Sequence, residues 1–172
     1  MKCETICGGS PGAGGGPLFV AGEVSFGDMT GAAFAFAQVA SEQHPVTVGT
    51  LDAENSNLFT NPSPGTLQYV GTAPLRFRVS YALSAVWLSA TGGVTASLFL
   101  SNLILNSDNV LSTLQLMSLD IGAEGDIAFT GSSDTLLTLQ PGDTLQIGLA
   151  AFTPGSTYSM LVSGLSIVAT RS

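Results

Sequence analysis

Few side chains in this sequence are of types that do chemistry. The sole histidine, His44, is followed at once by Pro45 in a stretch that reads as a loop. A catalytic base needs a nucleophile and an electrostatic stabiliser in reach. No nucleophile-elbow pattern occurs, so His44 is read as a loop residue or an interface contact. Asp120, Glu124 and Asp126 fall together in DIGAEGD. Oxygen-rich loops can hold Ca²⁺. The spacing is not that of the EF-hand loop, which favours a solvated acidic turn. Cys3 and Cys7 have Glu4 beside them but no histidine, which argues against a metal. Two free thiols in a reducing cell, a local disulfide and an intersubunit bridge all remain open for them. Gly8 to Gly16 lack the Lys-Ser/Thr of a phosphate loop, and no strand precedes them. Arg76 and Arg78 share the polar side of one alternating run. Either they meet a neighbouring copy's carboxylates or they form a plain polar face. No catalytic residue and no cofactor are expected, and the chain reads as a non-enzyme.

Composition bounds the class. The chain has 172 residues, 45 % of them hydrophobic and only 9 % charged. That length suits one domain with a sizeable core. Twelve carboxylates against four cations give a net charge of −8. A nucleic-acid groove needs clustered Lys and Arg, so no nucleic-acid partner is expected. Disorder goes with low hydrophobicity and high charge, the opposite of this chain. No apolar run is long enough for a membrane span. MKCETICGGS has no apolar stretch of signal-peptide length, which predicts synthesis in a host cytoplasm without a signal peptide.

The elements that must position these residues read as strands. Residues 8–17, GGSPGAGGGP, break the composition, and residues 1–17 read as a Gly/Pro-rich arm before a domain at 18–172. Three G-X-Y triplets there carry the collagen period but are too few for a triple helix. In LRFRVSYALSAVW, Leu75, Phe77, Val79, Tyr81, Leu83, Ala85 and Trp87 alternate with Arg76, Arg78, Ser80 and Ser84. Period 2 predicts a strand with one buried and one wet face. Turn chemistry at 90–93 followed by Val94, Ala96, Leu98 and Leu100 predicts a hairpin. LTLQPGDTLQIGLA predicts a second hairpin, turning at Gln140-Pro141-Gly142-Asp143. In the last segment Tyr158, Met160 and Val162 change phase to Leu165, Ile167 and Ala169, which predicts a β-bulge at Ser163-Gly164. Weaker strands are expected at 19–26, 32–39, 46–50, 66–70 and 127–130. Residues 110–121 fit either a helix or a strand, and the strand-rich surroundings favour the strand.

About ten short strands predict an all-β antiparallel sandwich or barrel. Its edges and outer faces are poor in charge, and Phe99 is placed among the outward residues. Burial against further copies explains such a surface better than solvent does. Arg76, Arg78 and Phe99 are therefore candidate intersubunit contacts.

The string Phe59-Thr60, Gly65, Tyr69-Val70-Gly71 and Leu75 through Ser84 resembles the central strands of the tumour-necrosis-factor-like jelly roll. It is similar to the complement q-subcomponent type of globular head and its bacterial spore-surface relatives. Leu137 to Ile147 resembles that family's penultimate hairpin, and Leu165 to Ala169 its closing strand. Pro74-Leu75-Arg76-Phe77 stands where the family has Gly-x-Tyr-x-Phe. The resemblance spans about residues 19–172. It implies a ten-strand jelly roll and a homotrimer, an architecture shared by phage and virus fibre heads and capsid decorations. The expected function is structural: a trimeric virion-surface component joined to a capsid through residues 1–17, with Cys3, Ile6 and Cys7 as apolar anchors. The alternative is a receptor- or glycan-binding head reading its ligand through Asn106, Asp108, Asn109, Ser132 and Asp134.

Overall fold

The computed structural model describes residues 20–39, 42–52, 57–88, 98–107, 109–118, 127–151 and 157–172. Eleven strands and no helix occur among them: β1 (Val20–Ala37), β2 (His44–Pro45), β3 (Thr50–Leu51), β4 (Phe59–Thr60), β5 (Thr66–Tyr69), β6 (Leu75–Leu88), β7 (Leu98–Leu105), β8 (Asn109–Ser118), β9 (Ile127–Leu139), β10 (Thr144–Ala151) and β11 (Thr157–Arg171). One sheet runs β3-β1-β11-β6-β9. The other runs β4-β5-β10-β7-β8, with β2 also paired to β10. All pairings are antiparallel, and one apolar cluster drawn from both sheets lies between them. This is a jelly-roll sandwich.

Strand β6 shows why these residues take this form. Phe77, Val79, Tyr81, Leu83, Ala85 and Trp87 are buried, while the residues between them face outward. A large apolar side chain taken fully out of water contributes about 1.5–3 kcal/mol, so the period fixes which face turns in. In β11, Tyr158, Met160 and Val162 point inward, and so do Leu165, Ile167 and Ala169. The ladder to β6 steps from Val162–Ala85 to Gly164–Ser84, leaving Ser163 as the bulged residue. The predicted bulge therefore keeps one face buried across a change of phase. Aromatic rings fill the two ends of the core. Phe59, Tyr69 and Phe77 meet at centroid distances of 5.2–5.5 Å. Phe99 meets Trp87, Phe129 and Tyr158 at 5.2–6.0 Å.

Several expectations are corrected. Strands β6 and β7 do not form a hairpin: β6 pairs with β11 and β9, and β7 with β10 and β8. The turn at 140–143 likewise joins two sheets. Its main chain bonds to β5, through Gly142 N–H to the Tyr69 carbonyl and Tyr69 N–H to the Asp143 carbonyl. Residues 20–37 form one strand rather than two, and 46–49 lie between β2 and β3 outside any strand. Phe99 is not an outward contact; it is 1 % exposed and sits opposite Ala151 on the core side of β7. Both faces of LFLSNLIL carry large apolar residues, so the sequence alone does not say which one turns inward. Residues 109–118 form a strand, as favoured. The turn at 90–93 lies outside the described residues.

Candidate functional site

The outer face of the five-stranded sheet carries an uncharged stretch and a charged end. Near its upper end, Ala33, Leu161, Val86 and Ala128 stand side by side on β1, β11, β6 and β9. In the single chain Leu161 and Val86 are only half-buried, and Ala33 and Ala128 are exposed. Two residues further down, Ser84 Oγ and Thr130 Oγ1 share a hydrogen bond of 2.7 Å. Below them Ser80, Ala82, Ser132, Asp134 and Ser166 line a hollow of about 260 Å³. From the Ala82–Ser132 pair upward, none of the described paired positions on this face carries a charge. The paired side chains there are small or apolar, and residues 28–31 of β1 stand out beside them.

The lower half of the face is different. Arg78 Nε donates to Asp134 Oδ2 at 3.0 Å, and both side chains are about half exposed. Solvent screens such a pair, and its contribution is modest, about 0–1 kcal/mol. Arg78 is therefore already paired within its own chain. Arg76 is exposed one alternation further down, towards the start of β6.

Other predicted residues are placed as follows. Ser132 and Asp134 are not in a loop; they lie mid-strand in β9, opposite Ala82 and Ser80. Asn106 is in the β7–β8 turn, but its side chain is engaged. Its Oδ1 accepts from Thr144 N–H at 2.9 Å and its Nδ2 donates to Asp143 Oδ1 at 2.8 Å. It ties that turn to the start of β10 while remaining exposed. Asn109 opens β8, exposed, opposite Leu105. His44 stacks on Phe36 with centroids 4.6 Å apart, in β2 and not in a loop. Its Nε2 is buried without a hydrogen-bond partner. Among the described residues no three His, Cys, Asp or Glu side chains converge. Cys3, Ile6, Cys7, Asp108, Asp120, Glu124 and Asp126 lie outside the described residues.

Sequence reasoning missed two features. Val86 and Leu88 break the polar side of the β6 alternation, and that break was the signal for an outer apolar patch. The second is an excursion in β1. Pairing jumps from Gly27–Gly164 to Ala32–Val162, so residues 28–31 loop outward. Asp28 Oδ1 accepts from the N–H and Oγ1 of Thr30 at 2.8 and 2.7 Å. Those bonds hold its carboxyl below the ordinary value of 3.8. Met29 at the tip is fully exposed. The Asp-x-Thr-Gly spacing, with Gly31 at φ 74°, is the local signature of that turn.

Two antiparallel sheets in the order described, joined by crossovers between them, define a jelly-roll sandwich. Among solved structures, the chain is similar to the Eiger TNF of S. frugiperda: TM-score 0.51, 14 % identity, 88 % of this chain and 92 % of that one. It also aligns with the globular domain of the zebrafish complement 1qA protein (TM-score 0.42, 16 % identity, 90 % and 99 % of the two chains). The PRD1 vertex protein P5 aligns at TM-score 0.43 and 12 % identity, over 89 % of this chain and 72 % of that one. No family model and no curated protein matches the sequence. At these identities the likeness is one of fold.

Proposed function

We propose that the chain is a non-enzymatic structural protein, a homotrimeric head on the surface of a virion or similar particle, joined to it through residues 1–17. The observation that carries this reading is the uncharged row Ala33–Leu161–Val86–Ala128 across four strands. Exposed apolar patches on an ordered sheet mark association surfaces. The remainder of the face down to Ala82 is Ser, Thr, Gly and Ala, so burial there desolvates few polar groups strongly. Three as the copy number comes from the resemblance to the tumour-necrosis-factor-like heads. The paucity of charge, 9 % of residues, supports burial of this face against further copies. The arm, rich in Gly, suits a segment that orders on docking. In the alternative, a receptor- or glycan-binding head, Ser132 and Asp134 would act from mid-strand in β9 and not from a loop.

The test is native mass spectrometry of the soluble protein, followed by deletion of residues 1–16. Three chains are expected before and after deletion, with loss of incorporation into the particle. A stable monomer, or a deleted chain that no longer folds, would overturn the reading.

A further inference from the structure

The excursion in β1 rises on the outer side of the five-stranded sheet. Gly31, at its end, lies against Leu161: a Cβ built there would stand 2.9 Å from Leu161 Cβ. Leu161 points outward, because its neighbours Met160 and Val162 are buried. The turn is held in shape by the Asp28–Thr30 bonds and by the left-handed Gly31. Met29 is thus presented to solvent, fully exposed, on a turn that has little left to lose in ordering. The same face carries the hollow of about 260 Å³. Its outward lining, Ser80, Ala82, Ser132, Asp134 and Ser166, belongs to β6, β9 and β11, and those small side chains leave the space. β1 lies on the far side of β11 from β6 and β9. Knob and hollow therefore occupy opposite halves of one face.

We propose that Met29 of one copy seats in the hollow of the next. In a ring of three, each chain gives its knob to one neighbour and its hollow to the other, so the β1 half of the face meets the β6–β9 half of a second copy. Methionine suits such a recess, since its unbranched thioether adapts to walls made of both methyls and hydroxyls. The charges at the contact are compatible. Arg78 gives only Nε to Asp134, and its terminal nitrogens have no partner among the described residues. Asp28, beside the knob, uses only Oδ1 within its own turn. Seating the turn brings the second Asp28 oxygen toward those free donors of Arg78. The same carboxylate, on a chain of net charge −8, argues against an anionic lipid surface as what Met29 enters. The inference rests on the reading of the chain as a homotrimer, and it names the residue that locks one copy to the next.

The test places M29C and A82C together in a full chain that also carries C3S and C7S, under mild oxidation. Met29 is exposed and Ala82 partly so, and an unchanged melting temperature checks that the fold is intact. Within one chain the two positions are kept apart by two strand spacings, about 9–10 Å, beyond the reach of a disulfide at about 7 Å. A covalent trimer is expected on a non-reducing gel, and M29C or A82C alone is expected to give no link. In the unaltered protein, peroxide is expected to convert Met29 to its sulfoxide at least about tenfold more slowly than in the urea-unfolded chain. No link between chains, a link in either single variant, or oxidation at the unfolded rate overturns the proposal. So does slow oxidation in a protein whose native mass is that of one chain, because the cover would then be its own. Native mass also separates the two claims. A trimer that gives no link sinks the contact alone. A linked species that stops at two chains, with a native mass of two, sinks the trimer and leaves the contact standing.

Discussion

At the scale of single residues, polar side chains here stabilise turns more than they offer chemistry. Asn106 is the clearest case. It adopts φ 54°, a left-handed conformation that Asn tolerates better than most residues. From there it bonds both Thr144 N–H and Asp143 Oδ1. Asn106→Ala removes both bonds and leaves in the left-handed region a residue that tolerates it less well than Asn. A loss of about 1–3 kcal/mol is expected, read as a drop in melting temperature. Asn106→Gly keeps the backbone freedom and is expected to lose less. Equal losses would mean that conformation has no share in the effect. The sequence showed Asn106 as a candidate ligand-reading residue but not where its side chain goes. Its partners are 37 and 38 residues away, and only the folded register brings them together. Phe99 was misplaced for a similar reason. Its environment is set by β10 and by the aromatic rings behind it, not by its neighbours in the chain.

At the scale of elements, alternation told, in β6 and β11, which side is buried, but it split β1 in two and placed a strand at 46–50 where only Thr50 belongs to one. It did not tell which strands pair. A period of two is blind to partner identity, so two successive runs with a turn between them look like a hairpin whether they stay in one sheet or cross to the other. The bulge in β11 was legible because the apolar phase itself shifts there. Close approaches between elements were not legible, since a glycine in a strand carries no partner label. Gly148 of β10 lies under Ile104 of β7, and an added Cβ would stand 2.2 Å from Ile104 Cδ1. That atom ends a flexible side chain, so Gly148→Ala is expected to force Ile104 aside at a cost of about 1–3 kcal/mol. Gly65 differs. Its φ is 75° and an added Cβ would stand 2.2 Å from the Val46 carbonyl oxygen, which is backbone. Gly65→Ala is therefore expected to be the more damaging of the two, with the larger fall in the urea midpoint. The reverse order would mean that the path of the chain past Gly65 relaxes more readily than Ile104 does.

At the scale of the whole molecule, the five-stranded sheet divides along its length. Its upper outer face has no charge at the described paired positions, and its lower end holds all three arginines. In a solitary head the upper half would leave Leu161 and Val86 partly in water with nothing gained. Copies packed there would bury those side chains while the acidic remainder stays hydrated. The division makes a specific prediction. Val86→Glu or Leu161→Glu would place a carboxylate at the centre of that contact with no cation beside it. An uncompensated buried charge costs about 3–5 kcal/mol, and a three-fold contact repeats the insult at each interface. The variants are expected to run as folded monomers in native mass spectrometry and by sedimentation, with the strand signature of the parent in circular dichroism. Val110→Glu, at a site 44 % exposed on the other sheet, is the matched control and is expected to leave the mass unchanged. If Val86→Glu and Leu161→Glu keep the parent's mass while Val110→Glu dissociates it, the contact lies on the other sheet, and the apolar row has some purpose other than self-association.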